Sequence, residues 1–345
     1  MGHTFAPARV PRNGRAAGSL CRAAGRGGAA MDALSDLLRV LHFTGGVFLD
    51  ATLRVPWCVR SHVEPEDCAP GVPNASLVAF HYVLDGRVQV GIGGNAPRAC
   101  RGGDLIVVVR NDEHLFGSDL HLPPVSAESL IRAGSVRDLA LIDAGSGGEV
   151  LSRFVCGYLG TAVRNHPLLD ALPALLVCNM RGRPCAEWVE SSFRFAAQMH
   201  LGRQPGAQEM LARLSELLFV EAVREYIDAL PQDTTGWLAA LRDPPLARAL
   251  SALHARVAHP WTTGQLADEA LLSRSAFAER FTRTLGVPPM TYLGRWRMLV
   301  AAQRLRESGA PIARIAAEVG YESESTFPRA FRREMGMSPG AFRRQ

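Results

Sequence analysis

The most regular pattern of apolar positions lies near the C-terminal end, where one arrangement of residues occurs twice. In each copy, two Phe lie four residues apart, a Gly follows the second Phe after five residues, and a Pro follows after three more. The apolar positions are Leu266, Ala267, Ala270, Phe277 and Phe281 in the first copy, and Ile315, Ala316, Val319, Phe327 and Phe331 in the second. Because these positions recur at helical spacing, they predict two helix-turn-helix units.

A longer run of helical periodicity, PPMTYLGRWRMLVAAQRLRES, connects the two copies. A helix filling most of this run would be roughly 25–30 Å long, since each residue adds about 1.5 Å. A recognition helix fits the major groove of DNA, and neighbouring sites on one face of the duplex recur every ~34–36 Å. Two units on such a spacer therefore indicate a protein that reads double-stranded DNA.

Thr262 with Gln265 predicts a capping box at the first unit. Ser273 is expected to cap the first recognition helix, and Ser323 or Ser325 the second.

The first half of the chain shows a strand pattern instead. A short helix from Asp32 to Leu41 precedes apolar runs that Gly, Pro, Asn and Asp interrupt. The predicted strands are Val47–Val55, Leu77–Leu84, Arg87–Ile92, Leu105–Val109 and Leu139–Asp143. Asp85-Gly86, between two of these strands, predicts a tight hairpin. Many short strands with frequent turns indicate a sandwich or a small barrel.

Between these parts, two helices are predicted over residues 187–202 and 206–230. Apolar residues spread widely around the second helix, so it needs more than one surface to pack against. We expect this pair to pack on the barrel and on a second subunit. The alternative is a helix hairpin that packs only within its own chain.

Two parts of the sequence resemble known families. The C-terminal run WTTGQLADEALLSRSAFAERFTRTLG, the spacer and PIARIAAEVGYESESTFPRAFRREMGMSPGAFRR resemble the DNA-binding domain of AraC/XylS-type transcription regulators. FHYVLDGRVQVGIGG and RGGDLIVVVRNDEHLF resemble the cupin-type sensor domain at the N-terminus of one AraC subgroup. The resemblance implies a sequence-specific transcription regulator, not an enzyme, controlled by an effector or redox signal in the cupin-like domain. A metal-dependent cupin enzyme with a DNA-binding appendix is the alternative.

Together these patterns predict an α+β chain with a cupin-like β-barrel or sandwich, a helical connector and an all-α C-terminal domain with two helix-turn-helix units. The expected divisions are a disordered or over-called extension at 1–30, the sensor domain at 31–182, the connector at 186–230, a linker at 231–245 and the DNA-binding domain at 246–345.

The distribution of charge supports this division. The chain has a net charge of +5, and all 38 basic residues are Arg. Residues 243–345 carry 15 Arg and nine acidic residues, whereas residues 31–242 carry 18 Arg and 24 acidic residues. A basic C-terminal part fits contact with phosphates. No apolar run reaches the ~18–20 residues of a membrane helix, so a soluble protein is expected. The odd number and scattered placement of the Cys residues favour reduced thiols in the cytoplasm. Double-stranded DNA is the expected partner, with RNA polymerase, a small-molecule effector and a second copy of the chain as further candidates.

The Cys and His residues predict no cofactor or metal. The seven Cys form no CxxC pair, which favours reduced thiols; buried inert thiols at Cys156 and Cys178 are expected, with an oxidant-sensing thiol as the alternative. His81 is followed by Tyr82 and Val83, so it lacks the His-x-His pair of metal-binding cupins, and no complete ligand set is legible. His62, His81 and His114 are therefore candidates only for an effector pocket, with structural roles favoured.

The surfaces opposite the paired Phe residues supply the candidates for DNA contact. In the AraC family the first exposed positions of the first recognition helix, matching Ser275, Ala278 and Glu279, make base contacts. The full predicted set is Arg274, Ser275, Ala278, Glu279 and Arg283 on the first helix, and Ser325, Thr326, Arg329, Arg332 and Arg333 on the second. Arg329 is the strongest candidate for reading guanine, whereas Arg332 and Arg333 are expected to contact phosphates.

Overall fold

The computed structural model describes residues 33–41, 43–68, 72–130, 140–144, 150–163, 166–181, 187–188, 191–192, 195, 205–231, 234–323 and 325–344. The predicted disordered extension at 1–30 lies outside these residues, as does most of the helix predicted over residues 187–202. No helix within the described residues is long and apolar enough to span a lipid bilayer.

The N-terminal part contains strands at all five predicted places, together with others that the sequence patterns did not indicate. Its strands are β1 Thr44–Arg54, β2 Cys58–Ser61, β3 Ser76–Ile92, β4 Arg98–Arg101, β5 Asp104–Val108, β6 His114–Gly117, β7 Val125–Ser126, β8 Ala140–Ala144, β9 Val150–Thr161 and β10 Leu175–Asn179. Its helices are α1 Ala33–Leu41, α2 Ala127–Leu130 and α3 Pro167–Ala171.

The strands form one strongly curled sheet in the order β7-β2-β6-β3-β9-β1-β8, with β4 and β5 also paired to β3, and β10 paired to β5. Most pairs are antiparallel, while β1 with β8 and β2 with β7 are parallel. Successive side chains of a strand point to opposite faces of the sheet. Val83, Val90 and Phe116 are among those on the inner face, and they fill the interior. The predicted cupin-like fold is therefore confirmed as a curled half-barrel.

The hairpin predicted at Asp85-Gly86 is wrong. Strand β3 continues through both residues from Ser76 to Ile92, and its pairing with β9 shifts between Val83 and Asp85. A tight two-residue turn of this type needs positive φ at both positions, but only Gly86 has it, with φ of 89°. The chain therefore bends at an irregularity instead of reversing. After the bend, β3 pairs with β4 and β6.

The C-terminal part is helical throughout its described residues. Its helices are α4 Ala207–Ala229, α5 Trp237–Arg242, α6 Pro244–Ala255, α7 Thr263–Ala270, α8 Arg274–Leu285, α9 Pro289–Glu307, α10 Ile312–Glu318, α11 Thr326–Met335 and α12 Pro339–Arg343. Helix α4 matches the second predicted connector helix. Within the predicted linker at 231–245, α5 is a packed helix with Trp237, Leu238 and Ala240 buried, because its apolar residues lie against α8.

One apolar core joins the sensor domain to the first helix-turn-helix unit. Leu37 of α1, Phe80 of β3, Phe219 of α4, Leu250 of α6 and Phe277 of α8 all belong to the same cluster of buried side chains. Helix α1 packs against α6 and α9, and α3 packs against α5. The sensor domain therefore contacts the DNA-binding part directly, in addition to the covalent connection.

Candidate nucleic-acid interface

The first helix-turn-helix unit comprises α7 and α8. The Thr262 hydroxyl accepts a hydrogen bond from the backbone N–H of Gln265 at 3.2 Å, and the Gln265 side chain accepts from the Thr262 N–H at 2.9 Å. The predicted capping box is thus present. The Ser273 hydroxyl accepts from the N–H of Ala276 at the start of α8, as predicted. Phe277 and Phe281 are fully buried, so the opposite face of α8 lies toward solvent.

The second unit comprises α10 and α11, and Phe327 and Phe331 are again fully buried. Ser325 occupies the N-cap position, but its hydroxyl makes no capping hydrogen bond to the helix. The Ser323 hydroxyl instead accepts from the Ser325 N–H at 3.3 Å. Pro328 is the third residue of α11, where a missing N–H removes no intrahelical hydrogen bond. Starting α11 at Thr326 thus accommodates the proline.

Helix α9 is the spacer that the sequence predicts. Its 19 residues give a length of about 28 Å. Its N-terminal half contributes Tyr292, Leu293 and Trp296 to the core that holds α8. Its C-terminal half contributes Met298 and Leu305 to a separate core with α10, α11 and α12. Since both cores share α9, this helix fixes the position of each unit relative to the other.

Arg297 of α9 strengthens this link and was not identified from the sequence. Its guanidinium donates hydrogen bonds to the backbone carbonyls of Val257 at 3.0 Å, His259 at 2.8 Å and Gly320 at 3.2 Å. Val257 and His259 precede the first unit, whereas Gly320 lies in the turn of the second. Arg297 therefore joins the two units as a positioning residue. An Arg within a helix that is rich in Arg gives no distinguishing signal in the sequence.

The candidates on α8 lie at the surface, with one partial exception. Arg274, Ser275, Glu279 and Arg283 are exposed, whereas Ala278 is half-buried. Glu279 Oε1 lies 3.9 Å from Arg283 Nη1, one turn further along the helix. The carboxylate therefore neutralises part of the positive charge at this end of α8, and the exposed Arg274 supplies a cation at the other end.

The candidates on α11 form a more basic surface. Ser325, Thr326, Arg329, Arg332 and Arg333 are all exposed. The Thr326 hydroxyl donates to the Ser323 carbonyl at 3.0 Å, and the Ser325 hydroxyl lies 2.9 Å from the Ser323 hydroxyl. Arg333 pairs with Glu334 at 3.1 Å. Among the described residues, the guanidinium groups of Arg329 and Arg332 form no hydrogen bond or ion pair, so both are available to a ligand.

The three candidate histidines of the sensor domain lie in two places. His81 and His114 lie inside the half-barrel, where their Nε2 atoms are 2.7 Å apart. His81 Nδ1 lies 2.6 Å from Cys156 Sγ, because His81 and Cys156 are opposite each other on β3 and β9. His62 lies elsewhere, with its Nε2 3.7 Å from Glu64 Oε1, and it lines a different cavity at the surface.

In the chain of Cys156, His81 and His114, the donor of each hydrogen bond follows from the contact that His114 makes with the Asp112 carbonyl. His114 Nδ1 lies 3.0 Å from the Asp112 carbonyl, which can only accept, so His114 Nδ1 carries the hydrogen. Burial lowers the pKa of His114 and of His81, so both rings are neutral. His81 Nε2 therefore donates to His114 Nε2, and the Cys156 thiol donates to His81 Nδ1. Both ring nitrogens of His81 are engaged, and Phe116 stacks on its face with ring centroids 4.9 Å apart.

This arrangement holds both interior histidines in one hydrogen-bonded chain. The described residues contain no group of three or more His, Cys, Asp or Glu side chains suited to hold a metal ion. His81 would have to break a hydrogen bond to offer a nitrogen to a metal. Cys156 was expected as a buried inert thiol, with an oxidant-sensing thiol as the alternative, and its pairing with His81 could not be read from the sequence because 75 residues separate them.

Comparison with known proteins identifies the family of this chain. A family model described as "Cupin" matches residues 32–228, and one described as "Helix-turn-helix domain" matches residues 266–345. A putative AraC-like transcription regulator from Streptomyces lividans is 34% identical over 91% of this chain and 98% of its own length. The chain belongs to the AraC family of transcription regulators. The HTH-type transcriptional regulator AlkR from Acinetobacter baylyi is 30% identical over 91% of this chain and 100% of its own length.

Among solved structures, the DNA-binding domain of AdpA in complex with a target DNA is 29% identical. The match covers 30% of this protein and 91% of the AdpA domain, with a TM-score of 0.28. The family and the function expected from the sequence are confirmed: this AraC-family protein is a DNA-binding transcription regulator with a cupin-like N-terminal domain.

Proposed function

We propose that this AraC-family regulator reads two neighbouring stretches of major groove, one with α8 and one with α11. The observation that carries the proposal is the repeated arrangement of a buried Phe pair behind an exposed polar face, with both units fixed to the single helix α9. At about 28 Å, the spacer is of the order of one turn of B-DNA, ~34–36 Å. Each exposed face therefore serves as a recognition surface.

On α8, the residues nearest the helix start contact the bases. Ser275 offers a hydroxyl as donor and acceptor, while Ala278 offers only an apolar contact, such as with a thymine methyl. Glu279 accepts from cytosine N4 or excludes other bases. Arg274 and Arg283 contact phosphates on either side of the groove.

On α11, Arg329 grips guanine O6 and N7 with two parallel hydrogen bonds, for which its exposed guanidinium has no competing partner among the described residues. Arg332 and Arg333 contact phosphates, and Ser325 and Thr326 lie at the start of the helix, where their hydroxyl groups reach the backbone or base edges. The second unit thus contributes both specificity and a large share of the charge.

A salt titration of binding to promoter DNA tests this assignment. The logarithm of the affinity should fall linearly with the logarithm of salt concentration, because Arg contacts release counterions. Arg333→Ala should reduce the slope by about one and weaken binding to all sequences similarly. Arg329→Ala should weaken specific binding by about 1–3 kcal/mol and leave non-specific binding nearly unchanged. A slope near zero, or an equal loss on both kinds of DNA for Arg329→Ala, would contradict the proposal.

The remaining parts of the proposal concern partners. We infer a homodimer, because large apolar side chains of the connector are exposed: Leu217 of α4 at 45%, Trp188 at 53% and Phe195 at 56%. Apolar surface of this kind favours a second subunit. Sedimentation velocity of the full chain measures this directly, and a monomer at micromolar concentration would contradict it. We also infer that the protein works in the cytoplasm, because the scattered Cys residues form no CxxC pair and favour reduced thiols. RNA polymerase is a further partner, to be tested by crosslinking at a promoter.

We also propose that the sensor domain binds a small-molecule effector or responds to a redox signal and is not a cupin enzyme. The engagement of both His81 ring nitrogens supports this choice over the metal-dependent enzyme. Metal analysis of the purified protein tests it: stoichiometric metal that His81→Ala removes would favour the enzyme instead.

A further inference from the structure

A second site on the sensor domain is a surface cavity of about 320 Å³. Four segments form its walls: the loop after β2 with Val63, the start of β3 with Leu77, the loop after β5 with Arg110, and helix α3 with Asp170 and its N-cap His166. Its volume lies at the lower end of the range of small-molecule sites, roughly 300–1,000 Å³. The cavity therefore suits a ligand of about the size of an amino acid.

Two opposite charges line this cavity without pairing to each other. Arg110 and Asp170 are both exposed, and no ion pair joins them or links either to another described side chain. One Arg110 nitrogen donates to the Leu172 carbonyl at 3.3 Å, which holds the guanidinium beside the end of α3. Burial raises the pKa of the Asp170 carboxyl, while the charge of Arg110 acts in the opposite direction. A ligand with its own positive group would stabilise the charged form of Asp170.

His166 supplies a third polar group at the wall. Its ring is fully buried, and burial lowers its pKa to about 3, so it is neutral. Its Nδ1 accepts from the N–H of Leu168 at 3.2 Å, which leaves the hydrogen on Nε2. Among the described residues, this Nε2 has no hydrogen-bond partner. Because a buried donor without an acceptor is costly, the site favours a ligand that brings an acceptor.

We propose that this cavity binds a zwitterion of amino-acid size, such as an α-amino acid. The ligand carboxylate pairs with Arg110 and accepts from His166, and the ligand ammonium pairs with Asp170. Val63, Val109 and Leu169 line the remainder of the cavity and contact an apolar side chain. The inference rests on the proposed effector function and gives it a place and a chemical class.

The position of the cavity connects a ligand to the DNA-binding part. His166 caps the start of α3, and α3 packs against α5. Just before it, the Ala162 carbonyl accepts a hydrogen bond from Arg306 near the end of the spacer α9. The described residues 161–163 and 166–171 thus contact the DNA-binding part at two points and the cavity at a third. A ligand that moves α3 changes the position of α5.

Calorimetry and thermal shift on the full chain test the proposal. The probes are the twenty standard L-amino acids, followed by the amine and the carboxylic acid that each lack one charged group of the strongest binder. At least one amino acid should bind, and both truncated compounds should bind at least tenfold more weakly. Arg110→Gln and Asp170→Asn should each lower the affinity for the amino acid at least tenfold. Arg60→Gln, which alters an exposed Arg outside the cavity, is the matched control and should leave the affinity unchanged.

The variants should also change selectivity in opposite ways. Arg110→Gln removes the partner of the ligand carboxylate, so this variant should bind the amino acid and the amine equally well. Asp170→Asn removes the partner of the ligand ammonium, so that variant should bind the amino acid and the carboxylic acid equally well. If no amino acid binds, if a truncated compound binds equally well, or if neither variant alters the affinity, the inference is overturned. The same preparations are tested for promoter binding. DNA binding without amino-acid binding overturns this inference alone, and the reverse overturns the proposed DNA contacts alone.

Discussion

At the residue scale, His254 shows how one buried side chain links the two parts of the molecule. Its ring stacks on Trp296 with centroids 3.9 Å apart, and its Nε2 lies 2.9 Å from the Tyr292 hydroxyl. That hydroxyl accepts from the Trp237 indole at 2.8 Å. On the other side, Asp36 of α1 approaches His254 Nδ1 at 3.9 Å. Burial lowers the pKa of His254 to about 3, so the folded protein keeps it neutral.

This low pKa predicts a loss of stability in mild acid. An unfolded His has a pKa of about 6.5, so between pH 6.5 and 3 the unfolded state binds a proton that the folded state does not. Stability is therefore full above pH 6.5 and falls as the pH falls, by about 2 kcal/mol between pH 7 and 5 for this one group. In urea unfolding, the free energy of unfolding of the His254→Gln variant should decrease between pH 7 and 5 by about 2 kcal/mol less than that of the wild type. His121→Gln, at an exposed position, should fall as much as the wild type, and equal falls in all three proteins would contradict the assignment.

Single residues also show where prediction from the sequence ends. The buried Phe pairs were predicted because helical spacing is local and shared by both units. The sequence offered His81 and His114 as separate candidates and Cys156 as an inert thiol, yet the three form one hydrogen-bonded chain. Their meeting depends on the pairing of β3 with β9 and β6. Strand register between distant segments leaves no local pattern to read.

At the scale of elements, the capping box of α7 makes a measurable contribution. Thr262→Ala removes the hydroxyl that accepts from the Gln265 N–H, and the loss of such a cap costs about 0.5–2 kcal/mol. Urea unfolding of the full chain should show this decrease. Thr263→Ala is a close control, because Thr263 lies inside α7 and its hydroxyl makes no hydrogen bond among the described residues. Equal effects of the two substitutions would show that the cap does not stabilise α7.

Elements differ in how well the sequence predicted them, and the reason is physical. The helices of the C-terminal part were predicted because caps, apolar periodicity and terminal glycines lie within a few residues of one another. Gly286 and Gly336, with φ of 75° and 79°, end the two recognition helices at equivalent places. Strand β3 was divided in two because Asp85-Gly86 is locally a turn signal, whereas pairing of both halves with neighbouring strands keeps the chain extended. Tertiary pairing overrides local preference there.

At the scale of the whole molecule, the sensor domain and the spacer are held together at several points. The Arg39 carbonyl at the end of α1 accepts from Gln303 at 3.4 Å, and the Ala162 carbonyl accepts from Arg306. Arg306 also lies over the Phe342 ring of α12 at 4.2 Å. Both contacts reach the C-terminal half of α9, which holds the second helix-turn-helix unit. A change in the sensor domain therefore reaches both recognition helices through one element.

This shared interface predicts how the molecule unfolds. Leu37 of α1 is fully buried and lines a small apolar cavity with Trp237, Trp296 and Leu299 of the DNA-binding part. Because the core is continuous across the two parts, calorimetry of the wild type should show one cooperative transition. Leu37→Asp places a carboxylate in this apolar contact at a cost of several kcal/mol. The interface should then separate while the barrel and the helix-turn-helix cores remain, which gives two transitions.

The control for this prediction is Arg39→Ala on the same helix. The Arg39 side chain is 56% exposed and lies 3.6 Å from Asp36, whose side chain is 10% exposed. Arg39→Ala removes no side chain from the apolar core that joins the two parts. Unfolding of this variant should therefore stay a single transition. Promoter binding separates the two effects further: the Leu37→Asp variant should still bind DNA, because α8 and α11 remain packed against α9, but an effector should no longer alter that binding. A single transition in Leu37→Asp would show that contacts other than α1 join the two parts.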